Sequence, residues 1–590
     1  MTGLAQSFDT ISWRGLEALA RRPLLAGLVL VALVLGCALP GVLSLPPVDR
    51  TEVVFATSAR QLAESGSWTG LDAVRERKPV GAVWLPALAA RLGPATDAIA
   101  IYRLPSLLAT ALGVWLVFRL YRHVIGTQAA FIAAALVAAT PILILHAHLA
   151  IAEPLVFPAM VAAQLSLLQL YAAPGSDSGR GAAALFWTAQ ALSIPCNALS
   201  VPIVSVATLA AVWAWDRRLD WLGRLRAPIG LPAVAAAVAV WLGAGAAVYG
   251  KAPFHGQSLR EALSELAGSQ QMNFRAFPGL VTVFLLLGFV PGHLLLVPAL
   301  QRLRAVGLTP VTRFLLAWTG GYLAYLELLS DKPALYVVQS LFPPVAGLVA
   351  IAVLKSYAHQ DVLRVDSFTA VLAALMGLVA APAAVYALHR LTGTGVPWTT
   401  WAAAAAVSAL LAIAVVAARR ALLGAWLVLG ITGAAVLNVL AFGLVLPHLN
   451  AFWASREIAA ALASLEHCPD GPIEVIGYRE PSLPFVLGPR VLPTWPIEVA
   501  EASRTRGASL VIVEQRWDRH LHEEFARRSP QALRRVACAT GINVARGCQL
   551  SFSLYVAGPP DKIAACRSRA VDLCPALLSP PARDFGRDCS

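Results

Sequence analysis

What most constrains this chain is a succession of apolar runs, each long enough to cross a lipid bilayer. A bilayer core requires about 20 mostly apolar residues per helix. Runs of that kind lie near 24–44, 101–121, 127–145, 150–171, 182–197, 199–215 and 228–249. Others lie near 279–300, 314–329, 334–354, 367–389, 399–417 and 421–446. They predict a polytopic α-helical membrane protein with about 13 transmembrane helices. Composition agrees: 58% of the 590 residues are hydrophobic and 13% charged, whereas soluble domains carry about 25% charged residues.

The charges that remain are placed like a topology signal. Net charge is +13, and the Lys and Arg excess lies mostly in short loops between apolar runs. That pattern argues orientation and affinity for membrane lipids; no nucleic-acid motif accompanies it. Arg14, Arg21 and Arg22 precede the first run and place the N-terminus in the cytoplasm. Val34-Leu35-Gly36-Cys37 resembles a lipoprotein cleavage box, but the run continues apolar beyond it and many spans follow, so it is read as an uncleaved anchor. Every inner loop except Ala172–Gly181 is distinctly basic: they carry Arg119, Arg122 and His123, then Arg217, Arg218, Arg224 and Arg226, Arg302 and Arg304, Lys355 and Arg364, and Arg419 and Arg420. An odd number of spans then puts the first loop (45–104), the loop 251–278 and the C-terminal tail on the outer side.

Residues 1–446 are thus read as a transmembrane domain and 447–590 as a soluble α/β domain. In the tail, Glu474–Gly477 and Ala508–Val513 read as short buried strands, and Ile497–Thr505 and Trp517–Arg528 as helices. The end beyond Gly558 reads as irregular. Of eight cysteines, Cys37 and Cys196 lie in apolar runs, while Cys468, Cys538, Cys548, Cys566, Cys574 and Cys589 lie in the tail. An even set in one soluble region implies disulfides and an oxidising compartment, with connectivity open. Zinc is disfavoured because there is no C-x-x-C pair and no matching histidine spacing.

Few ionisable residues fall at mid-span, and no matched Gly/Pro-broken halves occur, which counts against a coupled transporter. Polar groups gather at outer span ends: Asp49, Arg50 and Glu52, then Arg75, Glu76, Arg77 and Lys78, then His146, His148 and Glu153, then Asp331 and Lys332. Carboxylates beside cations on one membrane face suit a site that holds a lipid phosphate and deprotonates a hydroxyl. Taken singly, each group also reads as an ordinary solvated loop charge. Glu153 differs because Leu149-Ala150-Ile151-Ala152 and Pro154-Leu155 set it in an apolar run. His146 and His148 read as interfacial polar residues rather than metal ligands.

Several motifs occur together in order: Pro46-Pro47-Val48-Asp49-Arg50-Thr51-Glu52, Glu64-Ser65-Gly66-Ser67-Trp68, Lys78-Pro79-Val80-Gly81 with Trp84, Tyr102-Arg103-Leu104-Pro105-Ser106, His148-Leu149-Ala150 with Glu153, and Gly477-Tyr478-Arg479-Glu480-Pro481-Ser482-Leu483. In these the chain resembles, almost end to end, the bacterial glycosyltransferase family 39 proteins of the GT-C class, relatives of lipid A aminoarabinose transferases and protein O-mannosyltransferases. The resemblance implies a bacterial inner-membrane enzyme with its C-terminal domain in the periplasm. It implies inverting transfer of a sugar from a polyprenyl-phosphate donor to a lipid, glycan or protein acceptor, with a divalent metal in some members. Within and beside these motifs, Asp49, Glu52 and Glu153 are the candidate catalytic residues and Lys78, Arg77, Arg50 and Lys332 the candidate phosphate-binding cations.

The chain departs from the family pattern where it matters most. In register, the family's catalytic Asp falls on Thr51, its following Arg on Val54, its turn Lys on Ile151 and its turn Asp on Glu153, while Asn197 stands in place of a further Lys. Threonine stays protonated at neutral pH and cannot serve as a base. Either Asp49 or Glu52 has taken over, or the chain is a catalytically inactive relative that binds lipid-linked sugar or supports a partner enzyme.

Overall fold

The computed structural model describes residues 2–48, 50–66, 80–93, 97–172, 179–197, 199–249, 277–329, 334–358, 365, 379, 381–386, 388–389, 396–505, 508–529, 531–543 and 548–568. They form two compact units. The first comprises Met1–Leu45, Ser58–Ala387 and Val396–Leu446; the second comprises Pro46–Thr57, Leu388–Gly395 and Pro447–Ser590.

The described residues of the first unit form helices joined by short turns. An N-terminal helix, α1 (Thr2–Ala20), precedes α2 (Pro23–Ser44), which begins on Pro23 because the first helical position needs no N–H donor. Then come α3 (Arg50–Ser65), whose first two turns cluster with the second unit, α4 (Val80–Leu92) and α5 (Ile99–Tyr121). The run near 127–145, read as one span, is two helices, α6 (Thr127–Ala139) and α7 (Pro141–Ala147), bent by 64°. Pro141 explains the break: it offers no N–H, and it drives Thr140 to an extended ψ of 118°. After α8 (Ala152–Ala172), the apolar runs near 182–197, 199–215 and 228–249 form α9 (Gly179–Asn197), α10 (Ser200–Asp216) and α11 (Ala227–Tyr249).

The run near 279–300 is likewise broken, with α12 (Leu280–Gly288) bent by 107° against Gly292–Val306, a segment that ends in α13 (Leu296–Val306). Next, α14 (Pro310–Leu328) starts on a Thr309 cap whose hydroxyl accepts from the Thr312 N–H at 3.3 Å. The unit closes with α15 (Phe342–Ala358), α16 (Trp398–Arg419) and α17 (Leu423–Asn438); the run near 367–389 falls mostly outside the described residues. Six described helices are long and apolar enough to cross a membrane, or up to 8 with each bent pair counted as one span. This is a multi-pass membrane protein.

The second unit carries a mixed sheet of order β3-β2-β4-β6-β5. Strands β2 (Ile473–Ile476), β3 (Val491–Pro493) and β4 (Ser509–Glu514) are parallel, whereas β5 (Ala532–Asn543) and β6 (Cys548–Gly558) join antiparallel. The middle of β4 is apolar on both sides because both sheet faces are covered: Leu510 and Ile512 enter one core cluster, Val511 and Val513 the other. Helix α18 (Ala454–Ala463) supplies Ala454 and Ile458 to the first cluster. Helices α20 (Pro496–Thr505) and α21 (Gln515–Arg528) supply Val499, Leu521 and Phe525 to the second, with a short α19 (Ser482–Leu487) between β2 and β3.

The segment after Gly558 is more regular than its composition implies. It forms α22 (Pro560–Ala565) and β7 (Arg567–Ser568), which pairs with β1 (Leu465–Glu466). A Cys468–Cys566 disulfide closes this part of the unit across 98 residues, and Cys538 is also disulfide-bonded. Cys37 and Cys196 are free thiols.

Candidate functional site

In the first unit, buried polar side chains converge where the C-terminal end of α2, the start of α5 and the α7–α8 turn meet. Arg103 is fully buried on α5, and its guanidinium donates to the carbonyls of Leu45 at 2.7 Å and Val42 at 3.4 Å. These are among the last carbonyls of α2, which have no partner within the helix, so a cation there both satisfies them and opposes the helix dipole. The arginine thereby fixes the point from which the first loop departs.

His148 lies against the same end of α2. Its Nδ1 is 2.7 Å from the Ile144 carbonyl, and its ring stands 4.6 Å from that of Phe442. A Cβ at Gly41 would meet His148 Nε2 at 2.4 Å and Phe442 Cβ at 2.9 Å, so only glycine lets α2 approach this closely.

One turn away, His146, Gln339 and Glu153 form a second group. The Gln339 Nε2 donates to the backbone carbonyl of Glu153 at 2.8 Å, and its Oε1 lies 2.9 Å from His146 Nδ1. A carbonyl can only accept, so the first contact fixes the amide's orientation. Its Oε1 must then accept, and His146 carries its proton on Nδ1. Glu153 is 6% exposed in the first turn of α8, where the helix N-terminus favours a carboxylate. Asn438, also fully buried, donates to Ala139 O at 3.0 Å and so ties down a carbonyl at the α6–α7 break.

Of the residues expected to act, the structure therefore brings Glu153 together with His146 through Gln339. Glu52 and Arg50 lie on the first turn of α3. Arg50 is exposed, whereas Glu52 is fully buried and its carboxylate accepts from the Val48 N–H at 2.8 Å. This third-position acid reaches back past the start of its helix to a residue one further out than a capping box reaches, and so ties the loop entry to α3. Asp49, Arg77, Lys78 and Lys332, together with Asp331 and the loop 251–276, lie outside the described residues. Near the Lys78 segment, Gly81 packs on the end of α9: a Cβ there would lie 2.9 Å from the Pro195 carbonyl oxygen, two residues before the buried Asn197.

Among the described residues no three His, Cys, Asp or Glu side chains converge as a metal-ligand set. Sequence reasoning overlooked Arg103, Gln339 and Asn438 as buried polar centres. Their signal was available: each is a strongly polar residue inside an otherwise apolar run, where an idle one is costly.

No family model matches the sequence, and no curated protein matches it either. The fold, a helical membrane unit and a C-terminal α/β unit, is nevertheless shared with solved structures. The chain is similar to ArnT from Cupriavidus metallidurans, whose crystal structure in the apo state it matches at TM-score 0.65 and 16% identity over 89% of this chain and 97% of that one. It matches the same protein bound to undecaprenyl phosphate at TM-score 0.64 and 17% identity, with coverage of 89% and 97%.

Proposed function

We propose that this protein is a membrane glycosyltransferase that moves a sugar from a polyprenyl-phosphate donor to an acceptor hydroxyl on an envelope lipid, glycan or protein at the periplasmic face of a bacterial inner membrane. The observation that carries the reading is the end-to-end likeness to a protein crystallised with undecaprenyl phosphate, covering 89% of this chain. In the reaction the acceptor oxygen attacks the anomeric carbon and a glycosidic C–O bond forms as the bond to phosphate breaks. Polyprenyl phosphate leaves with the bonding electrons, and the hydroxyl proton passes to a carboxylate.

Asp49 is assigned as that base. Glu52, the other candidate in the first loop, already holds the Val48 N–H and is assigned to fixing the loop. Lys78, Arg77, Arg50 and Lys332 are assigned to the donor phosphate, and Glu153 to orienting the acceptor.

The test is transfer from a labelled polyprenyl-phosphate sugar by the purified, reconstituted full chain. General-base catalysis contributes about 10²–10⁴-fold, so Asp49→Asn should lose that much. Glu153→Gln should lose about 10²-fold through misplacement of the acceptor. Full activity in both variants would sink the site assignment.

The residues Thr51 and Val54 favour a second reading, a catalytically inactive relative that binds lipid-linked sugar. It predicts donor binding by the wild type without turnover, and measurable turnover by the purified chain alone eliminates it.

A further inference from the structure

At the opposite end of α2 from Arg103, the first unit contains a polar cavity that the transfer reaction does not use. Helix α2 has 22 residues, which at 1.5 Å per residue separates the two ends by about 33 Å. The cavity, about 530 Å³, lies where α2 begins and α5 ends, and its walls include Glu17, Arg21, Arg122, His123, Thr127 and Gln128. That volume is within the range of about 300–1,000 Å³ of small-molecule sites.

Its charge is lopsided. Among the described residues Glu17 is the one acid in the wall, and its carboxylate is already shared by Trp13 Nε1 at 3.0 Å, Gln128 Nε2 at 3.5 Å and the Arg21 guanidinium at 3.8 Å. Arg122 has no side-chain hydrogen bond or ion pair among the described residues, and Arg119 contacts only the His123 ring. Burial, then the charges of Arg119 and Arg122, hold the His123 imidazole below its ordinary pKa. The wall also includes the first turn of α6. This 13-residue helix starts at Gly126 without a side-chain cap, so its leading N–H groups add to the positive field.

The surroundings are apolar. Leu24 and Leu28 on α2 are 86% and 66% exposed, and Leu112 and Trp115 on α5 are 47% and 37% exposed. A ligand here has to be anionic at its head and tolerate a hydrocarbon flank.

We propose that this cavity seats the phosphate of an anionic membrane lipid, with Arg122, Arg119 and Arg21 as its cations, and so anchors α1 and the α5–α6 turn to the membrane surface. The proposal is independent of the transfer chemistry and would hold for an inactive chain.

Native mass spectrometry of the full chain, titrated in detergent with phosphatidylglycerol or with phosphatidylcholine, tests it. Wild type should retain phosphatidylglycerol in preference. An Arg119→Gln, Arg122→Gln variant, which removes charge-assisted bonds to the phosphate, should weaken retention at least tenfold. Thr127→Asp should weaken it as well, by setting an acid against the phosphate at a helix N-terminus that tolerates acids. Arg218→Gln, a charge change in another basic loop, should leave it unchanged. Retention that survives the cavity variants, or that falls equally in Arg218→Gln, overturns the proposal. Displacement of the lipid by millimolar inorganic phosphate would make free phosphate the occupant and overturn the lipid assignment.

Discussion

The two units bury polar groups under different rules. In the helical unit, Arg103, Gln339 and Asn438 each spend their donors on a main-chain carbonyl at a helix end or break. In the C-terminal unit the backbone is satisfied by a continuous sheet ladder, and the buried acid Glu514 pairs with its neighbour Arg516 at 2.8 Å. The difference follows from the solvent. A group released in the soluble unit can turn to water, while one released among membrane helices cannot. The helical unit therefore depends on single side chains, and the soluble unit on its sheet and its cross-link.

Breaking the cross-link is the largest expected effect. The Cys468–Cys566 bond closes a 98-residue loop, and chain-entropy arguments give about 4.7 kcal/mol for a loop of that length. Replacing both cysteines by serine should lower the C-terminal unit's urea midpoint accordingly. The thermal transition of the helical unit, followed by tryptophan fluorescence, should stay in place. If both units lose stability together, they do not follow separate rules.

The second test falls on the helical unit. Gln339→Leu keeps similar bulk but removes the hydrogen bonds to His146 Nδ1 and to the Glu153 carbonyl, each worth about 0.5–1.5 kcal/mol net. A loss of about 2 kcal/mol is expected in the helical unit, with the C-terminal unit's urea midpoint unchanged. Gln339→Glu should recover part of it, since a carboxylate still accepts from His146. A neutral Gln339→Leu would mean that water or a rearranged neighbour reaches this group, and the contrast between the units would fail.

These features differ in how legible they were. The helices could be read because apolar runs of bilayer length need no partner to declare themselves, and β4 because Leu510-Val511-Ile512-Val513 is apolar on both faces. Strands β5 and β6 escaped notice although they are 12 and 11 residues long. Arg534, Arg535, Ser551 and Ser553 interrupt their apolar pattern, and the strands are defined by pairing with each other. The bends after α6 and α12 were hidden because hydropathy is blind to direction. Arg103 reaches a carbonyl 58 residues away, and no local pattern encodes such a contact. At the site, the residue types at the outer span ends pointed to the chemistry, but Glu52's use in holding its own helix end emerged only in three dimensions.

Glu52 is where the comparison meets function, and it carries the smallest expected effect. It belongs to the segment Pro46–Thr57, which clusters with the C-terminal unit, yet its bond to Val48 N–H is of the side-chain-to-main-chain kind that marks the helical unit. Glu52→Ala removes that acceptor and should cost about 1–2 kcal/mol, the usual scale for losing a cap. In Glu52→Gln the amide oxygen still accepts from Val48, so stability should return to near wild type and transfer should stay within a few-fold. The Gln variant thus separates the two uses of one carboxylate, because an amide keeps the hydrogen bond but cannot take a proton. A fall of about 10²-fold or more in the Gln variant, with stability intact, would place the base at Glu52 rather than Asp49. The same carboxylate would then hold the loop in the resting protein and release it in each turnover.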